Sequence, residues 1–155
     1  MKLMYLRLPI QGLLLASLLA AGCSGKEAIV LVPVEGKLMM DGKPVPLARI
    51  EFMPEFKGHG ADANSYAITD EKGQFVLAKG VEPGVAIATH RVVINEAPPP
   101  DGTRGQDDAS QAKLAAYTRT LKNRPLNARY QAYFSTPIRV EITAEKHDLV
   151  IEMLR

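Results

Sequence analysis

The chain has 155 residues, 46% apolar but only 6% aromatic with no Trp, enough for one domain with a mainly aliphatic core. Of its 19 basic residues only Lys2 and Arg7 precede residue 23, and no acid does, so the formal +2 reduces to 17 basic against 17 acidic groups beyond that point. That balance excludes the basic excess of a nucleic-acid binder, and a lone cysteine excludes an internal disulfide.

Residues 1–22 read as a secretory signal. Lys2 and Arg7 give a basic start, residues 8–21 hold no charge, and small residues run up to Gly22 and Cys23. The apolar run falls short of the roughly 20 residues that span a bilayer. The small-small-Cys ending resembles the lipobox of bacterial lipoproteins, with Ala20 where Leu is commonest. The resemblance implies cleavage between Gly22 and Cys23, diacylglycerol on the Cys23 sulfur, and often a further chain on its new amine. Ser24, rather than Asp, points by the same analogy to the outer membrane. One acyl chain binds only marginally at about 0.8 kcal/mol per buried CH₂, whereas two or three hold the protein for good. Residues 23–31 then form a lipidated tether, and residues 32–155 the domain.

Alternation of apolar and polar side chains marks the strands. Residues 32–38 turn Val32, Val34 and Leu38 one way and Glu35 and Lys37 the other. Asp41-Gly42 is a tight-turn signal, and Pro44 and Pro46 keep the chain extended but off a central ladder. Ala48, Ile50 and Phe52 then alternate with Arg49 and Glu51, and residues 55–64 form a loop. In residues 65–69 Tyr66 and Ile68 share a face. Asp70 to Gly73 is a turn with Gly73 available for positive φ. Residues 74–78 put Phe75 and Leu77 inward, and residues 87–95 do the same for Val92 and Ile94.

Residues 96–135 form a long excursion. It opens on Pro98-Pro99-Pro100, then Leu114, Tyr117 and Leu121 show helical spacing, with Ser110 near the N-cap of a short helix. Tyr130 and Phe134 pack down onto the sheet. Ile138, Val140 and Ile142, then Leu149, Ile151 and Met153, define two closing strands, with His147 in a hairpin turn between them. Seven short strands with turns between them predict an all-β, seven-stranded Greek-key sandwich with one helix in the excursion.

Several of these residues carry a resemblance. Val34-x-Gly36, Asp41-Gly42-Lys43-Pro44-Val45, and Ala48-x-Ile50-x-Phe52-x-Pro54 resemble the opening of transthyretin-like, carboxypeptidase-regulatory-like domains. More narrowly, they resemble small planctomycete-type lipoproteins. Thr69-Asp70-x-x-Gly73-x-Phe75-x-Leu77, Ala88-Thr89-His90-Arg91-Val92-Val93-Ile94 and Leu126-Asn127-Ala128-Arg129-Tyr130 are similar to later markers of that group. The resemblance spans residues 32–154 and implies a prealbumin-like sandwich, while implying little about activity. Hydroxyisourate hydrolases of this fold depend on a terminal Tyr-Arg-Gly-Ser signature. Here the sequence reads Glu152-Met153-Leu154-Arg155, which sets that chemistry aside.

The residues themselves offer little catalysis. His59 sits in a Gly-rich loop and has no ligand partner at metal spacing, nor has His147. His90 shares the parity of Val92 and Ile94, so a neutral ring bonded to a backbone carbonyl is the expected role. No serine sits in a nucleophile elbow. The reading is therefore a non-enzymatic, lipid-anchored cell-envelope module without cofactor or metal, held to the membrane by acyl chains on Cys23. A protein or glycan partner would meet the basic and aromatic excursion residues Tyr117, Arg119, Arg124, Arg129, Tyr130 and Tyr133. The alternative is a small exported hydrolase or metal-dependent enzyme using His59, His90 or His147.

Overall fold

The computed structural model describes residues 28–57, 60–145 and 147–155, with His147 described in its backbone only. The proposed signal peptide, the proposed cleavage and acylation site at Gly22 and Cys23, and His59 lie outside the described residues.

The chain runs through β1 (Leu31–Val32), β2 (Val34–Met40), β3 (Lys43–Pro44), β4 (Ala48–Pro54), β5 (Ser65–Ile68) and β6 (Gln74–Val76). It continues through β7 (Ala78–Lys79), β8 (Glu82–Pro83), β9 (Val85–Ala86), β10 (Thr89–Glu96), α1 (Asp108–Thr120), β11 (Arg139–Glu141) and β12 (His147–Met153). Two sheets carry the fold. One has the order β11-β10-β4-β5-β7-β8; the other places β12 on one side of β2, with β3 and β6 on the other. Twelve strands stand where the sequence predicts seven, because five are two-residue pairings too short to show alternation.

The predicted parity holds in the long strands. Val34, Leu38 and Met40 of β2 are buried, as are Ala48, Ile50 and Phe52 of β4 and Val92 and Ile94 of β10. With Phe75, Leu77, Ile151 and Met153 they form one apolar cluster drawn from both sheets, an all-β sandwich-like arrangement. Tyr66 and Ile68 do share a face, and it is the outer one. Gly36 lets β12 approach: a Cβ there would stand 2.3 Å from the Leu149 carbonyl oxygen and 2.8 Å from the Phe75 ring.

Three expectations are corrected. Phe134 is not packed down but 94% exposed, since the chain at residues 131–134 turns it outward while Tyr130 is buried. The last two strands are not a hairpin. β11 pairs with β10 in one sheet and β12 runs parallel to β2 in the other, so the chain changes sheet after β11. The helix N-cap is Asp107 rather than Ser110: its carboxylate accepts from the Ser110 backbone N–H at 2.9 Å and the hydroxyl at 2.7 Å. Ordered pairing also starts early, since Leu31 already pairs with Ala86.

Strand register sorts the connections to two ends. The strap end holds the turns at residues 41–47 and 69–73, the start of the excursion at Ala97, and Leu154. The leader end holds Ala28–Val30, the described parts of the β4–β5 loop (55–57 and 60–64), the β7–β8 turn, residues 87–88 and residues 142–145.

Candidate functional site

The strap end is built from side chains that reach backbone carbonyls. In the turn before β6, Asp70 Oδ1 accepts from the Lys72 and Gln74 N–H groups at 2.8 Å each, and Gly73 takes φ +75°. The buried Thr69 hydroxyl donates to the Val45 carbonyl at 2.7 Å and accepts from the Ala48 N–H at 2.9 Å. The Asp70 bonds are the local ones such a turn supplies, whereas Thr69 ties the turn to the chain between β3 and β4. The excursion adds long-range ones. Arg124 Nε contacts both carboxylate oxygens of Glu96, at 2.7 and 2.8 Å. Its Nη1 donates to the Lys122 carbonyl, and its Nη2 to those of Pro46 and Leu47. Asn123 Nδ2 donates to the Met40 and Lys43 carbonyls, and Arg155 joins Asn123 Oδ1 to Asp41. Asp41 thus pairs with Arg155 across the fold instead of only closing its own turn.

The six excursion residues do not form one surface. Arg124 is committed to the clamp just described, its side chain 14% exposed. Tyr130 is buried, and its hydroxyl accepts from the Leu154 N–H at 2.9 Å and from Arg129, whose guanidinium lies 4.6 Å from the Tyr130 ring centroid. Tyr133 lies under Arg91, 5.1 Å from its guanidinium carbon. Tyr117 is half-buried and donates to the Ala97 carbonyl; burial first, then Glu96, pushes its phenol pKa up. Only Arg119 is carried on the open side of α1, in a groove with Gln111, Leu114, Ala115 and Thr118. The helix buries none of its residues. Its largest apolar residues, Leu114 and Tyr117, are only partly buried, so core packing gives it little and α1 is held by its cap, by Tyr117 and by the chain on either side.

At the leader end the buried polar group is His90. Its ring is fully buried against Phe52, with Nε2 2.8 Å from the Ala86 carbonyl oxygen and Nδ1 without a hydrogen-bond partner. Burial pushes its pKa below the ordinary 6.5, the Ala86 carbonyl only partly offsetting this, so the neutral ring donates from Nε2. This is the corner role expected from its parity. His147 enters the other sheet opposite Val34, while His90 lies opposite Pro54, so the two stand on different sheets. Among the described residues no group of three His, Cys, Asp or Glu side chains could hold a metal ion.

Glu55 is the centre of the charges here. It accepts from Arg139 at 2.8 Å and Arg91 at 2.7 Å, and these bonds, Arg139 first, hold its carboxyl below the usual range. Beside it lies an open groove of about 360 Å³, formed by Ile29, Val30, Phe56, Lys57, Ala86 and Ile87. The sequence reading missed this feature. The available signal was Ile87, an apolar residue on the outward parity of its strand.

Comparison with protein-family models, with curated proteins and with solved structures finds no match. Among the described residues no helix is long and apolar enough to cross a membrane.

Proposed function

We propose that this chain is a lipid-anchored cell-envelope protein of the outer membrane, acylated on Cys23, whose domain works by surface contact instead of catalysis. The observation that carries the reading lies in the sequence: a basic start, a charge-free run and small residues converge on the only cysteine. Its domain is a seven-stranded Greek-key sandwich of the transthyretin-like, carboxypeptidase-regulatory-like kind. The parity of the long strands and the sheet-like core support that reading, and the two-residue pairings decorate its edges.

Contact, not chemistry, is supported by how the polar groups are used. His90 is sealed from solvent and bonded to a backbone carbonyl. The partner-facing part of the excursion is the open side of α1 around Arg119, because Arg124, Arg129 and Tyr130 are engaged within the fold. A thirteen-residue helix with no buried residue is costly to order for folding alone. A protein or glycan partner in the envelope gives its exposed side a use.

The test is Cys23→Ser in cells, followed by membrane fractionation and intact-mass analysis. The expected outcome is a wild-type protein that pellets with membranes and carries two or three acyl chains, and a variant that is released. Identical pelleting, with no lipid mass on the wild type, overturns the proposal.

A further inference from the structure

From the leader-end groove we infer that this end of the domain seats directly on the lipid surface, with Ile87 and Val30 entering the headgroup region. The inference rests on acylation at Cys23 and adds an orientation to it.

Length comes first. Residues 24–27 separate Cys23 from Ala28, where the described chain begins. Five steps at about 3.6 Å span at most ~18 Å. The sandwich is about one strand long, seven residues in β2, or ~23 Å at ~3.3 Å per residue. The leader end is therefore kept within reach of the bilayer, while the strap end stands a full strand further out. A tether this short converts a weak apolar contact into an intramolecular one at high effective concentration.

The chemistry of that end fits. Val30 is 64% exposed, Ile87 42% and Val81, at the β7–β8 turn, 99%; at the opposite end Leu154 is 58% exposed and Ile68, at the close of β5, 52%. Ile29 and Phe56 complete the apolar floor of the groove. Glu55 is paired with Arg91 and Arg139, and Glu82 with Lys79, so these carboxylates do not face lipid uncompensated. Lys57 lines the groove, while Asp62 and Glu145 lie on neighbouring loops. Among the described residues the end has no cationic excess, so apolar seating, not attraction to anionic lipid, is the contact.

The chain has no Trp, so one introduced indole reports alone. Full-length acylated protein carrying Ile87→Trp, Val30→Trp or Leu154→Trp is reconstituted into neutral phosphatidylcholine vesicles, with or without brominated acyl chains. Groups seated ~5–10 Å into the headgroup boundary lie within reach of bromine, so the first two variants lose about half their emission and the third keeps it. Lipid mass and vesicle flotation are measured on the same samples. Acylated, floating protein in which all three variants emit equally overturns the orientation and leaves the anchor standing. Protein without lipid mass overturns the anchor, and the orientation with it. Using two leader-end positions keeps the test intact if one substitution disturbs folding.

Discussion

The two ends of the sandwich are held by different means. At the strap end, charged and amide side chains from the excursion and from Arg155 reach main-chain carbonyls or carboxylates. At the leader end the buried neutral His90 ring and the Glu55 pairs with Arg91 and Arg139 fasten the corner, and apolar side chains stand in solvent around them. A closed end needs many specific bonds, whereas an end with a surface to meet keeps its apolar groups outward. The contrast separates what the excursion does for the fold from what it offers outside.

Breaking the strap end gives the largest effect. Arg124→Ala removes the Glu96 pair and the donors to Pro46, Leu47 and Lys122. Hydrogen bonds to a charged group each contribute about 1.5–3 kcal/mol, so a loss near 2–3 kcal/mol in urea unfolding is expected. A loss under about 1 kcal/mol would mean that the excursion is not fastened here.

The leader end responds to acid instead. Unfolded, His90 takes up a proton at its ordinary pKa of 6.5, whereas burial depresses that uptake in the fold. The unfolded state then binds more protons, so this contribution is complete above that pKa and fades as pH falls below it. The melting midpoint should drop by a few degrees between about pH 7 and 5, where few other side chains titrate. His90→Gln, which keeps a donor toward Ala86, should flatten that slope. An unchanged slope in the variant would assign it to another group.

Asp107→Ala sharpens the comparison with the smallest change. Losing an N-cap costs a helix about 1 kcal/mol. Because α1 buries no residue, faster hydrogen exchange should be confined to residues 108–120 with the global midpoint nearly constant. A full kcal/mol lost from global stability would show α1 to be part of the cooperative core.

The sequence made the leading strands legible because alternation is local: each of Ile50, Phe52, Val92 and Ile94 declares its face through its neighbours. The Asp70-to-Gly73 turn was equally readable, since the Asp70 carboxylate closes it on the Lys72 and Gln74 N–H groups. What Arg124 does was not, because its partners are carbonyl oxygens about 80 residues away, and a carbonyl has no residue identity. The same distance hid Asp41 with Arg155 and the parallel placement of β12. Phe134 misled because an aromatic near a buried Tyr130 looks like core, yet a turn of the chain can face it either way.

The parallel seat of β12 beside β2 also sets an order of events. One side of the first long strand has no neighbour until β12 reaches it. Pairing between segments so far apart in sequence forms late and slowly. The sheet built on β2 is therefore the later of the two to close, while β4, β5 and β10 pair without waiting for it.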